Sequence, residues 1–256
     1  MIIRHYFKRT AMDPIGVGAY IVFPLILISL MVVTNNYLVE GYGHLINGRN
    51  LNHSFNIIVN MLIFQLMGSL IVIDYLFEDL RGDMRWRLLA TPKPIVSFAF
   101  ANMVASIAFS FISGGLLILS GAFVFNSYLH NVWVLIAVLV LMATLSQLAG
   151  VLFFMLCKKK ATANTLGVVF CWGNALLSGL IFNIGFGEQL TRLGRLFTPF
   201  GWAWRAIMFS GGAAGMGGNI VEEGGMRDSL LNLGYLAGFC VALAVIILLL
   251  GRRKPV

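Results

Sequence analysis

PIVSFAFANMVASIAFSFISGGLLILSGAFVFNSYLHNVWVLIAVLVLMATLSQLAGVLFFMLC, from Pro94 to Cys157, runs for 64 residues without an Asp, Glu, Lys or Arg. A helix rising about 1.5 Å per residue needs about 20 apolar residues to cross about 30 Å of hydrocarbon. The stretch holds two such crossings. Its one polar interruption, Asn126-Ser127-Tyr128-Leu129-His130-Asn131, separates them. Lipid offers the backbone no hydrogen bonds, so a crossing must be a helix or a strand of a closed barrel. Barrel strands are about 10 residues long and alternate in polarity. These runs do neither, and the sequence predicts helices.

The rest of the chain follows the same pattern. Further uncharged stretches run from Pro14 to Val39, Asn50 to Ile73, Ala161 to Gly187 and Ser229 to Gly251. Of 256 residues, 59% are hydrophobic and 11% charged, against about 25% charged in an average soluble domain. The expected fold is an all-α integral membrane protein, one transmembrane domain over 1–256. Its six spans fall at about 15–38, 53–76, 95–125, 132–157, 162–184 and 229–250. Residues 1–13 are expected as an interfacial helix, with Ile3, Tyr6, Phe7 and Thr10 on one face and Arg4 and Lys8 on another. Their basic start also fits a secretion signal, but the apolar run that follows is too long for a signal core.

The net charge of +8 gathers in short clusters between the apolar runs, which is a topology signal rather than a nucleic-acid footprint. Thirteen of the 18 basic residues lie in the N-terminal segment, around Arg81 to Lys93, at Lys158-Lys159-Lys160 and at the C-terminal end. The positive-inside rule therefore puts both termini and the 81–93 region in the cytoplasm of a multi-pass cell-membrane protein. Cys157, Cys171 and Cys240 have no pair spacing, and the four histidines are scattered. No disulfide framework, metal site or catalytic constellation is expected.

Two segments stand out. In Phe77-Glu78-Asp79-Leu80-Arg81-Gly82-Asp83-Met84-Arg85-Trp86-Arg87-Leu88-Leu89-Ala90-Thr91-Pro92 the acids precede the bases, as the helix dipole favours. Phe77, Leu80, Met84 and Leu88 make an apolar stripe, and Pro92 and Pro94 stop the helix. The predicted helix covers 78–90. A solvated loop rich in positive-inside charge and a docking helix fit these features equally. In the second segment, Leu190, Leu193, Leu196 and Phe197 repeat at helical spacing, with Gln189, Arg192 and Arg195 off that face. This reads as a broken or re-entrant helix over 180–204, tilted near the outer interface with Trp202 and Trp204 as headgroup anchors. An ordinary outer loop fits the periodicity as well.

On these residues the chain resembles the permeases of the type-2 ABC exporter class. The resemblance rests on the acidic–Gly–basic stretch closing in Leu88-Leu89-Ala90-Thr91-Pro92, placed between spans two and three. It also rests on Leu177-Ser178-Gly179, Leu193 and Thr198-Pro199-Phe200-Gly201-Trp202-Ala203 after span five. Family members usually carry further prolines where Asn183 and Gly187 stand here. The resemblance implies a coupling helix that enters a separate ATPase subunit through Glu78, Asp79, Arg81, Asp83 and Arg85. It also implies a second permease subunit, identical or paralogous, and a bacterial cell membrane. ATP and Mg would be bound by the partner ATPase, since no Gly-x-x-x-x-Gly-Lys-Ser/Thr loop occurs here.

The expected activity is export of a hydrophobic or amphipathic compound: an antibiotic, peptide, drug or lipid. Export of an ion or lipid-linked glycan, or gradient-driven secondary transport, are the alternatives. Asn60, Gln65, Asn102, Phe109 and Asn174 are the candidate pathway residues. The other polar groups within spans, among them Ser69, Ser110, Ser113, Ser146 and Gln147, read as interhelical contacts. Asp74, the one acid inside a span, reads as a snorkelling or paired group near the cytoplasmic end. Gly114, Gly115 and Gly121 read as sites of close helix packing.

Overall fold

The computed structural model describes residues 2–38, 45–46, 49–82, 84–90, 95–127, 131–180, 188–211 and 224–253. Asp83, Thr91, Pro92, Pro94, Asn183, Gly187 and the Gly-rich 212–219 stretch lie outside the described residues. Among the described residues the fold is all-α apart from one two-residue pairing, β1 (Leu45–Ile46) with β2 (Arg49–Asn50). Among the described residues, four helical segments are long and apolar enough to cross a membrane: His53–Leu80, Ser97–Phe123, Val132–Leu156 and Met226–Gly251.

The chain begins with α1 (Ile2–Met12), whose buried residues Tyr6 and Thr10 face inward while Arg4 and Lys8 are exposed. Tyr6 and Phe7 pack on Phe98, Ala101 and Ala105 of α7 (Ile95–Phe123). The amphipathic face is thus spent on protein, and Ile3 stays exposed. Next come α2 (Pro14–Val17), a π-helical turn over Gly18–Val22 and α3 (Phe23–Leu38). Pro24 accounts for the wide turn. It has no N–H to offer the carbonyl four residues back, and its ring crowds that carbonyl. The N–H of Phe23 reaches Gly18 O, five residues back.

The second span is the central one. It comprises α4 (Leu51–Met67) and α5 (Ser69–Leu80), broken at Gly68. In its most apolar window 83% of residues are buried, against 11% for Met226–Gly251 in α12 (Met226–Arg253). The main core joins Met61, Leu62 and Leu66 of α4 with Leu139, Met142 and Leu145 of α8 (Val132–Leu156). The polar break between spans three and four falls where the sequence places it. Asn126 takes a positive φ of 48°, and the Asn131 side chain caps α8 by accepting from Trp133 N. A Cβ on Gly114 would lie 2.2 Å from Gln65 Nε2, and one on Gly121 2.7 Å from Ile57, so both are packing sites. Gly115 faces open space.

Two expectations need correcting. The charged segment is not one helix over 78–90. Phe77 to Leu80 form the last turn of α5, and α6 (Met84–Leu89) is a separate short helix. Phe77 and Leu80 continue the buried stripe of the span against Phe154, Cys157 and Ala163, so their packing belongs to the helix below them. The turn at Arg81-Gly82 then ends it, with Gly82 so close to Glu78 that a Cβ would sit 2.6 Å from its carbonyl oxygen.

The helix expected as a fifth span also ends early. In α9 (Lys160–Leu177) helix stops at Ser178, and Gly179 takes φ 65°. That left-handed residue is the common helix-ending device. The chain then forms α10 (Glu188–Phe197) and α11 (Pro199–Ser210). Thr198 caps α11 by accepting from Gly201 N, and Pro199 opens its first turn.

Candidate functional site

Three polar constructions are built on this frame. The first is an ionic collar at the end of α5. Asp79 is buried and accepts from Tyr6 Oη (2.8 Å) and Arg9 Nη1 (2.8 Å). Arg9 also holds Glu78 at 2.8 Å and lies 4.4 Å over the Tyr75 ring. Glu78 is shared with Lys160 at 3.2 Å, and Lys160 with Asp74 at 3.2 Å. Asp74 accepts a further bond from Asn164 (2.9 Å). Burial opposes the charge on Arg9, but the bond and attraction to Asp79 outweigh it, and its pKa stands above the ordinary value. Burial, then the Asp79 carboxylate, push the Tyr6 hydroxyl up, so it remains a donor.

Arg81 completes the collar from the other side. Its guanidinium lies over the Phe77 and Phe154 rings, 4.8 and 4.3 Å from their centroids. It donates to Phe154 O (2.9 Å) and to Cys157 O, carbonyls at the end of α8 left without helical donors. Beyond the collar, α6 exposes Met84, Arg85 and Trp86, the indole residue at 76%. Among the five expected coupling residues, Asp79 is buried, Glu78 and Arg81 are exposed yet bonded to neighbouring helices, Arg85 is exposed on α6, and Asp83 lies outside the described residues.

The second construction surrounds the break at Gly68. Gln65 Nε2 donates to Ser110 O (2.6 Å), and Gln147 Nε2 to Gly68 O (3.1 Å). Tyr20 Oη donates to Met67 O (2.7 Å), from the π-helical turn over Gly18–Val22. Phe109 packs edge-on against Tyr20, ring centroids 6.5 Å apart. Of the expected pathway residues, only Gln65 and Phe109 meet here. Asn60 bonds Asn56 O and Met31 Sδ, Asn102 meets Ser106, and Asn174 bonds Phe170 O within its own helix. Ser69 and Gln147, read from sequence as interhelical contacts, stand at the centre. Their signal was Gly68, the one glycine in the uncharged run Asn50 to Ile73. Beside the break, a cleft of about 100 Å³ is lined by Thr10, Asp13, Tyr20, Asp74 and Tyr75.

The third construction is the turn after α9. Arg195 is buried, donates through Nε to Ser178 O (3.2 Å) and lies 5.5 Å over the Trp204 ring. Leu193, Leu196 and Phe197 are exposed. Arg195, which lies off the apolar face by spacing, is thus drawn inside, because the Ser178 carbonyl and the indole face there are better cation partners than hydrocarbon. Trp204 is no interface anchor. It is 3% exposed and packs with Phe200, Ala203 and Ile207 in the main core. Trp202 is half-buried against Tyr235 and Phe239 of α12, its indole N–H bonded to Leu196 O.

Fold and site together define an all-α membrane protein with a polar break in its central helix and a braced charged end. Neither a scan against protein-family models nor a search of curated proteins finds a match.

Proposed function

We propose that this chain is the permease subunit of an ATP-driven exporter of the type-2 ABC class, in the cell membrane. In this reading the six spans are Pro14–Leu38, Leu51–Leu80, α7, α8, α9 and α12, and α1 and α6 lie on the cytoplasmic side with both termini. The supporting observation is the collar. Trp86 and Arg85 are offered on a short helix whose root is tied to α1, α8 and α9 through Arg9, Arg81 and Lys160. A load on α6 would therefore be shared by four helices instead of bending a loop. The coupling role shifts accordingly: Arg85 and Trp86 contact the ATPase subunit, with Asp83 beside them in sequence, while Glu78, Asp79 and Arg81 transmit. A conformational change needs a contact that differs between two states, and α6 is where nucleotide-driven closure would make it.

The buried side-chain amides within the long apolar helices, Gln65, Asn60, Asn102 and Gln147, are uncharged, while the buried charges Asp79 and Arg195 stand near helix ends. That composition suits a hydrophobic or amphipathic compound better than an ion or a charged glycan. A second permease subunit would complete the transporter.

The test is retention of an ATPase subunit when the tagged chain is purified in mild detergent. Trp86→Ala and Arg85→Ala are expected to lower ATP hydrolysis by the complex about tenfold, the effect of one interfacial anchor, with the melting temperature unchanged. Finding no ATPase partner in any membrane preparation would sink this reading. A gradient-driven carrier is the second reading, favoured by the break at Gly68, since such carriers place discontinuous helices at their sites. Transport that survives ATP depletion and stops on collapse of the proton and sodium gradients selects it.

A further inference from the structure

The break in the central span is satisfied on one side only. The N–H of Gly68 reaches Gln65 O and that of Ile71 reaches Gly68 O, both at 3.2 Å, in three-residue steps instead of four. The side-chain nitrogens of Gln65 and Gln147 are committed to the carbonyls of Ser110 and Gly68. Those bonds fix which way each carboxamide points, because a flipped amide would set two oxygens against each other. Their outward atoms, Gln65 Oε1 and Gln147 Oε1, have no partner, nor has Ser69 Oγ. All three residues are at most 2% exposed. Two acceptors and a hydroxyl thus stand unpaired around one turn of the most buried helix. Inside a bilayer such groups are held only where a donor meets them.

Tyr20 and Ile71, beside the break, also line the cleft of about 100 Å³, whose walls do not include Gln65, Ser69 or Gln147. Small residues keep the site narrow. A Cβ at Gly68 would lie 2.9 Å from Ser110 Oγ, and one at Gly150 2.6 Å from Ser69 O.

We propose that the turn at Gly68 is a buried binding site for a small hydrogen-bond donor, water or an ammonium group, held by Gln65 Oε1, Gln147 Oε1 and Ser69 Oγ. The site is independent of whether an ATPase drives the protein.

Ser69→Ala tests it, because the hydroxyl makes no bond within the protein. With a donor in place, the purified full-length variant should melt about 2–4 °C below wild type. An unchanged or raised melting temperature overturns the proposal, since deleting an unpaired buried oxygen relieves the protein. Infrared spectra separate the sources. A wild-type O–H band that shifts in H₂¹⁸O and disappears in Ser69→Ala identifies water. Without that band, a rise in wild-type melting temperature with methylammonium chloride over equal sodium chloride, absent in Ser69→Ala, identifies an ammonium group. A lowered melting temperature with neither signature also overturns the proposal, because alanine then acts through packing. Should Ser69→Ala fail to fold, the ¹⁸O-sensitive band and the methylammonium shift in wild type decide, and absence of both overturns it.

Discussion

Gly194→Ala is expected to lower the melting temperature by about 6–12 °C, from an overpacking cost of about 3 kcal/mol at about 2–4 °C per kcal/mol. A Cβ at this position would lie 1.7 Å from the Leu177 carbonyl oxygen and 2.6 Å from its carbon. Both obstructing atoms are backbone, so no rotamer change clears them. The variant must lift α10 off the end of α9. Doing so separates Arg195 Nε from Ser178 O and leaves a buried guanidinium short of a partner. The strain sits inside the segment that pairs Leu177-Ser178-Gly179 with Thr198-Pro199, so transport should fall with stability. Gly173→Ala, where nothing lies within 4 Å, is the control. In a helix interior it should gain about 0.5–1 kcal/mol. Melting curves in detergent read both, and equal curves for the two variants would remove the close contact from the account.

Asp79→Ala should detach α1. Two bonds to a buried carboxylate are lost, from Tyr6 and from Arg9. Bonds to a charged group contribute about 1.5–3 kcal/mol each. Arg9 is partly exposed and keeps Glu78, so the expected loss is about 3 kcal/mol, the lower end of the two combined. Trypsin should then cleave after Lys8 and Arg9 at rates the wild type does not show. Tyr6→Phe alone should cost less, and Tyr6→Phe with Asp79→Ala no more than Asp79→Ala, because the hydroxyl has nothing left to bind. Added salt should leave the wild-type attachment intact, since the Asp79 side chain is 6% exposed. Lys160 and Glu78 are near half exposed, and that pair alone should contribute little. An α1 equally resistant to trypsin in both proteins would show that Tyr6 and Phe7 hold it by apolar packing alone.

The elements legible in the sequence are those set by uniform composition. Helices α7, α8 and α12 lie where the uncharged runs predict, because each run admits only one backbone that pairs its own N–H and C=O groups in lipid. The polar break at Asn126 to Asn131 was legible for the same reason. Where two neighbours compete for a residue, local pattern failed. Phe77 and Leu80 fit a separate charged helix by spacing, yet the apolar pocket of Phe154, Cys157 and Ala163 draws them into α5. Arg195 fits a solvated face by spacing, yet a free carbonyl and an indole ring lie inside. Trp204 fits an interface belt by type, and burial of α11 makes it core.

By itself the sequence determined a helical membrane protein, the places of its longest apolar helices, and a charged segment before the 64-residue uncharged run. Hydropathy and charge act residue by residue along the chain, so they can be read without partners. Tertiary structure alone decided that Arg9 closes on Glu78 and Asp79 and Lys160 on Glu78, that Gln147 meets Gly68, and that Leu193 and Leu196 of α10 are exposed. Each of these joins residues far apart in sequence, Gln147 and Gly68 by 79 positions. Whether a polar group finds its partner inside or outside depends on which carbonyls and rings the other helices have already left unpaired.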